Sequence, residues 1–244
     1  MKLYAIQFRQ KSPDQNLNLV LNYLNNVEEN SLVLLPELWY SGFDYENIEE
    51  HAKETENILE ILKEVSKNKS LTLCGTLPER VKDGIRNTVF LIEDGKIVGK
   101  RSKIKLFQPF GEDKYFIPGE ENRVFNTKFG KVGILICFEL RFTDLILELQ
   151  KEKPNIVLVP AQWGYARREH FKILSRARAI ELQAYLIASD TWGEHLGIRY
   201  GGNSGIYSPW GEILSFSEKG DVILGAEYDP DYLKEVRRSL PIKI

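Results

Sequence analysis

KVGILICFELRFTDLILELQKEKPNIVLVP (131–160) reads as a strand, a helix and a second strand. KVGILIC and NIVLVP are apolar on both faces, as a strand buried on two sides must be, and FTDLILELQKEK between them has a helical pattern. Working outward, the same kind of run recurs as LYAIQF (3–8), SLVLLP (31–36), LTLCGTL (71–77), TVFLIE (88–93), AYLIAS (184–189) and VILGAEY (222–228). Helical patterns stand between several of them: NLNLVLNYLNNVEEN, ENILEILKEVSKNK and REHFKILSRARAIELQ. Alternating strands and helices predict an α/β fold with a mostly parallel sheet. Two segments break the alternation. TVFLIEDGKIVGKRS carries Asp94-Gly95 between strand-like runs, a hairpin signal, and SGIYSPWGEILSF has Pro209-Trp210-Gly211 in the same place. Their likeness suggests a duplicated half. Asp229 and Pro230 open a last helix.

The 244 residues carry a net charge of −2, with 43% hydrophobic and 28% charged residues. That balance is ordinary for a globular protein and offers no basic footprint for nucleic acid or an anionic membrane. Neither a signal peptide nor an apolar run long enough to span a membrane is visible. With only Cys74 and Cys137 there is no disulfide framework, and a reducing cytoplasm is expected.

In open α/β sheets reactive groups gather beyond the C-terminal strand ends. Glu37, Lys103 and Cys137 are placed there. A thiol at a strand-to-helix turn meets backbone N–H groups and the positive end of a helix dipole, which favour thiolate. By position alone, however, a packed core cysteine is the commoner reading of Cys137, and more so of Cys74, whose apolar run continues past it. The histidines do not offer an obvious base. His51 and His170 lie in polar helical stretches and read as surface residues, while His195 in TWGEHLGIRYGGNSG stays open. No His/Cys/Asp/Glu pair has metal-ligand spacing. Glu37, after a run of Val and Leu, is the alternative base, because desolvation raises a carboxyl pKa towards the working range; a salt bridge or helix-start carboxylate is an equal reading. Lys103 could lower the thiol pKa and hold an oxyanion, although solvated hairpin charges are the commoner fate of KRSKIK. Alternation along a strand would put Lys105 on the same face, so spacing does not choose between the two lysines. GGNSG (201–205) reads as a turn rather than a phosphate loop.

LLPELWYSGF, KRSKIKLFQPFGEDKYFIPGE and ILICFELRF, in that order, resemble the nitrilase (carbon–nitrogen hydrolase) superfamily. RARAIELQAYLIASD and GNSGIYSPWGEIL extend the likeness over nearly the whole chain. The resemblance implies one domain over 1–244, built as a four-layer α-β-β-α sandwich with two packed sheets in place of one. It implies catalytic roles for Glu37, Lys103 and Cys137, with Glu112 positioning the lysine or the substrate. Lys105 stands where the family usually has His, and Phe138 and Glu139 fill its aromatic and acidic places. The family pocket is lined after NIVLVP, which points to Gln162 and Trp163. The Phe138 N–H would join the oxyanion site, and Arg141 could read a carboxylate, although a structural ion pair is the commoner role for it.

A cofactor-independent hydrolase of small linear amides is expected, forming a thioester on Cys137 with Glu37 as base; LFQPFGEDKYFIPG most resembles amidases acting on ω-amides of dicarboxylic acids. An N-carbamoyl-amide hydrolase or a nitrilase is the alternative. A His195-based hydrolase and a catalytically silent binding module are further ones. A homodimer or larger assembly, paired through helices, is also implied.

Overall fold

The computed structural model describes residues 1–242. Each apolar run named above becomes a strand. In chain order the first half holds β1 (Lys2–Gln7), α1 (Pro13–Asn26), β2 (Leu32–Leu34), α2 (Ile48–Lys69), β3 (Thr72–Val81), β4 (Gly84–Glu93) and β5 (Lys96–Ser102). The second half holds β6 (Phe125–Thr127), β7 (Gly130–Ile134), α3 (Thr143–Glu152), β8 (Ile156–Ala161), α4 (Arg168–Leu182) and β9 (Tyr185–Asp190). It continues with β10 (Trp192–His195), β11 (Ile198–Gly201), β12 (Ser204–Tyr207), β13 (Ile213–Ser217), β14 (Val222–Glu227) and α5 (Pro230–Ser239).

Two six-stranded sheets form, in the orders β14-β1-β2-β3-β4-β5 and β13-β12-β9-β8-β7-β6. Both are mixed. β1, β2 and β3 run parallel, as do β7, β8 and β9, and each trio continues into an antiparallel hairpin and is closed by an antiparallel strand at its other side. The two sheets therefore have matching topology, and the two sequence hairpins occupy equivalent places in them. Asp94 and Gly95 turn the first with φ of 49° and 77°, the paired positive φ that a two-residue hairpin requires.

Strand periodicity explains the layering. Leu3, Ala5, Leu32 and Leu34 pack with Ile134, Leu158 and Ile187 of the second sheet, while Tyr4, Ile6, Val33 and Leu35 pack with Val20 and Leu24 of α1 and Ile58 and Leu62 of α2. The core of the second sheet continues through to Leu145 and Leu149 of α3 and Ala179 of α4. The result is the expected four-layer α-β-β-α sandwich, with β1 lying over β9 and β12. Cys74 is a core residue, 1% exposed among Leu32, Leu34 and Leu91.

Three local readings are revised. TWGEHLGIRYG is a hairpin, β10–β11, rather than a loop, turned by Leu196-Gly197 at φ of 49° and 74°; a leucine in the turn conceals the usual signal. His51 is not a surface residue: it is 9% exposed, hydrogen-bonded to Asp44 at 2.9 Å and set edge-on to Tyr40. The strand of KRSKIK stops at Ser102, so alternation does not reach the lysines and they do not share a face. The C-terminal helix agrees with its reading, since the Asp229 carboxylate accepts from the N–H groups of Asp231 and Tyr232. No helix of the described residues is long and apolar enough to cross a membrane.

Candidate active site

Glu37 follows β2, Lys103 follows β5, Cys137 follows β7 and Gln162 follows β8, so four loops from two sheets meet at one end of the sandwich. Their backbones are tied down by hydrogen bonds independent of the reactive side chains. Leu38, at φ 41°, donates its N–H to Thr76 Oγ1 at 2.6 Å, and the Glu37 N–H reaches Ala161 O in the opposite sheet at 3.3 Å. Lys103 is held from both sides: its N–H donates to Asn87 O at 2.8 Å, and its carbonyl accepts from the Gly119 N–H at 2.7 Å.

Cys137 opens a 3₁₀ turn, Cys137–Arg141, with φ of 49°. A non-glycine residue held there costs on the order of 1–3 kcal/mol and persists only where its surroundings impose it. Glu139 is the imposing group. Fully buried, it accepts from the Ile136 N–H at 2.7 Å and the Ile104 N–H at 2.6 Å, and it forms an ion pair with Arg101, which also donates to Ile134 O at 2.7 Å. One carboxylate thus fixes the turn that carries Cys137 and the loop that carries Lys103. The expectation of solvated hairpin charges fails for Arg101, 5% exposed, and for Lys103, 1% exposed. It holds for Lys105, which pairs at the surface with Asp144 at 2.7 Å.

The four candidate residues meet in one buried network. Lys103 Nζ donates to Glu37 Oε1 at 2.8 Å and to both oxygens of Glu112, at 2.9 and 2.7 Å. Glu112 also accepts from the Phe107 N–H at 2.6 Å. Asn87 donates to Glu37 at 2.8 Å and to Glu112 at 3.2 Å. Glu37 Oε2 accepts from the Gln162 N–H at 3.2 Å, and the Gln162 side-chain amide donates to Glu37 O at 2.7 Å. The thiol of Cys137 lies in the field of Glu37, Lys103 and the Gln162 N–H.

Burial governs the protonation of this cluster. It pushes the Glu37 carboxyl up; Lys103 opposes the rise and the charge of Glu112 adds to it. Lys103 stays cationic, because its two carboxylates outweigh the cost of burying an ammonium. The Cys137 thiol is pushed well up, first by burial and then by the charge of Glu37, with Lys103 only partly compensating. The helix dipole expected to favour thiolate does not prevail: α3 begins at Thr143, beyond the turn, and desolvation beside a carboxylate dominates. Burial therefore favours the neutral thiol over the thiolate at Cys137.

A narrow cleft reaches Cys137 from the surface between an aromatic wall of Phe107, Phe110 and Phe138 and the indole of Trp163. Phe138, Gln162, Trp163 and Arg141 all line it. Arg141 is not in a structural ion pair among the described residues: it stacks on Trp163, 4.8 Å from the ring centroid, and contacts His170 Nδ1 at 3.1 Å. His170 is on the surface. His195 is half-buried elsewhere, its ring so close to Gly42 that a Cβ there would stand 2.9 Å from His195 Cδ2. Burial lowers its pKa, and its polar neighbours are Asp44 and Ser41. Sequence reasoning missed Asn87, which bridges both carboxylates. It also missed Asp190, a fully buried strand-end carboxylate that accepts the Trp163 N–H at 2.7 Å and that burial holds well above the usual range. Asp190 closes AYLIAS as Glu37 follows SLVLLP, so the same strand-end reading applies to it. Asn87, as the polar residue that opens TVFLIE, gives a fainter signal.

Comparison with known proteins gives the family and the fold. Residues 3–238 match the family described as carbon-nitrogen hydrolase. The chain is 30% identical over 234 residues to a 2-oxoglutaramate amidase of Bacillus subtilis, covering 94% of this chain and 90% of that protein. It is 27% identical over 266 residues to the omega-amidase NIT3 of Saccharomyces cerevisiae, covering 99% of this chain and 91% of the relative. The crystal structure of Nit3 from Saccharomyces cerevisiae, a nitrilase-superfamily member, superposes with a TM-score of 0.90 at 24% identity, covering 100% and 95% of the two chains. A mutant amidase from Nesterenkonia, with acrylamide added at its active-site cysteine, superposes with a TM-score of 0.84 at 22% identity, with 98% of each chain covered. With the family match spanning both sheets and all four loops of the buried network, the chain belongs to the carbon–nitrogen hydrolase family.

Proposed function

We propose that the chain is an amidase that releases ammonia from a small linear amide, with an ω-amide of a dicarboxylic acid as the favoured substrate class. The observation that carries this reading is the buried Glu37–Lys103–Glu112 network closing on Cys137. Glu37 takes the thiol proton as sulfur bonds to the amide carbon and the C=O becomes C–O⁻. Lys103 and the Phe138 N–H stabilise that oxyanion, each such donor being worth about 3–4 kcal/mol of barrier. Protonated Glu37 then returns its proton to the amide nitrogen, ammonia leaves and a thioester remains. Glu37 takes a proton from water, the resulting hydroxide displaces the sulfur, and the thiol is re-formed. The raised Glu37 carboxyl is a better base than a free carboxylate, which suits it to take a proton from a thiol that burial makes harder to ionise. Glu112 and Asn87 are positioning residues that hold Lys103 and Glu37. The ω-amide preference is supported by the amidase names of the relatives and by Arg141 in the cleft.

Pairing into a homodimer is supported by exposed Leu147 on α3, Ile173 and Ile180 on α4, and Trp210 and Ile213 at the β12–β13 hairpin, where Ile180 packs on Gly211.

The test is ammonia release across ω-amides, neutral monoamides, carbamoyl amino acids and nitriles, with mass spectrometry for an acyl adduct on Cys137. Cys137→Ala is expected to abolish turnover with an unchanged fold, and His195→Ala to stay within a few-fold. Turnover by the Cys137 variant would reject the mechanism.

A further inference from the structure

Two arginines, not one, stand over the cleft. Arg167 lies across from Arg141, its guanidinium 5.2 Å from the Phe107 ring centroid and 5.9 Å from that of Phe110, while Arg141 rests on Trp163. Both line the passage to Cys137. Arg167 is built into place. The Trp163 indole N–H donates to its carbonyl at 2.8 Å, and the missing side chain of Gly164 leaves room for the guanidinium, since a Cβ there would stand 2.9 Å from Arg167 Nη2.

Neither guanidinium has a carboxylate partner among the described residues, although nearby cations do: Lys105 pairs with Asp144 and Arg178 with Glu181. Two like charges facing one narrow, partly desolvated space repel each other. Burial and the charge of Arg167 together draw Arg141 below the ordinary arginine range. An anion between them would remove the repulsion and complete their hydrogen bonding. A planar carboxylate matches the guanidinium fork, and the aromatic walls limit the water that would otherwise screen it.

We infer that Arg167 is a specificity residue that acts with Arg141 as a two-guanidinium clamp for the far carboxylate of an ω-monoamide of a short dicarboxylic acid. The inference rests on the amidase reading and deepens it. Substrates lacking that carboxylate leave the two cations unneutralised, so they bind weakly even though the reacting amide is unchanged.

The test compares kcat/KM for succinamic acid with that for its methyl ester and for butyramide, in the wild type, Arg167→Gln and Arg167→Lys. In the wild type the acid is expected to be favoured. Arg167→Gln should lower the acid-to-neutral ratio about 10- to 100-fold, chiefly through KM, and Arg167→Lys should restore part of it. A ratio within twofold of wild type, or an equal loss on acid and neutral amides, would overturn the clamp. Calorimetric titration of succinamic acid into Cys137→Ala protein, with and without Arg167→Gln, reads binding without turnover; equal affinity in the two would also overturn it. If the wild type cleaves neutral and acidic amides alike, the clamp fails and the amidase reading stands. If it cleaves neither, the amidase reading itself fails.

Discussion

Replacing Glu112 by Gln changes the buried network by one atom. Glu112 accepts four hydrogen bonds: Oε1 from Lys103 and Asn87, Oε2 from Lys103 and Phe107 N–H. A glutamine can present only one oxygen, so whichever way it turns, its NH₂ faces a Lys103 donor and one further donor. At least two bonds are lost, one of them charge-assisted, and Lys103 is left with Glu37 as its only anion. Breaking one partner of a fully buried ion cluster costs about 3–5 kcal/mol. In a chain of this size each kcal/mol moves the melting temperature by roughly 2–4 °C, so a fall of about 6–20 °C is expected. A second consequence has a definite sign. The Glu112 charge helps to raise the Glu37 carboxyl, and without it Lys103 acts on Glu37 alone. The pKa of Glu37 should fall, and the acid limb of kcat/KM, where the base must be deprotonated, should move to lower pH while the plateau drops. Thermal unfolding by calorimetry and a pH–rate profile on a neutral amide, run over roughly pH 4 to 9, would measure both. A variant less than about 1 kcal/mol destabilised, or one whose acid limb moved upward, would refute the assignment of Glu112 as the second anion of Lys103.

Because burial and Glu37 push the Cys137 thiol up, the ultraviolet difference between wild type and Cys137→Ala should show no thiolate absorbance near neutral pH; a thiolate signal there would mean that Lys103 prevails. Glu139→Gln should cost about 3–5 kcal/mol by urea unfolding, since it strands buried Arg101, and should slow turnover by loosening both the Cys137 turn and the Lys103 loop. A loss of stability with kcat untouched would separate the clamp from the chemistry.

The amino-acid sequence alone determined the buried strands, most of the helices and the DG hairpin. These depend on period, propensity and turn chemistry within a few residues, as at Asp94-Gly95. It also placed Glu37, Lys103 and Cys137 at strand ends, though it took a family likeness to prefer Lys103 over Lys105. Only the tertiary structure decided their states. Lys103 and Lys105 are two residues apart in one basic run, yet one is enclosed by Glu37 and Glu112 and the other pairs with Asp144 in solvent. Asn87 and Glu139 acquire their places from partners dozens of residues away, and the guanidinium of Arg167 lies over Phe107, sixty residues earlier in the chain. Most of all, the local turn of Cys137 offers features that favour thiolate, and the fold pushes the thiol pKa up instead. A pKa is a sum over everything packed around a group, and for Cys137 the desolvation imposed by two sheets, together with a carboxylate from the opposite one, outweighs the pull of Lys103 and the Gln162 N–H.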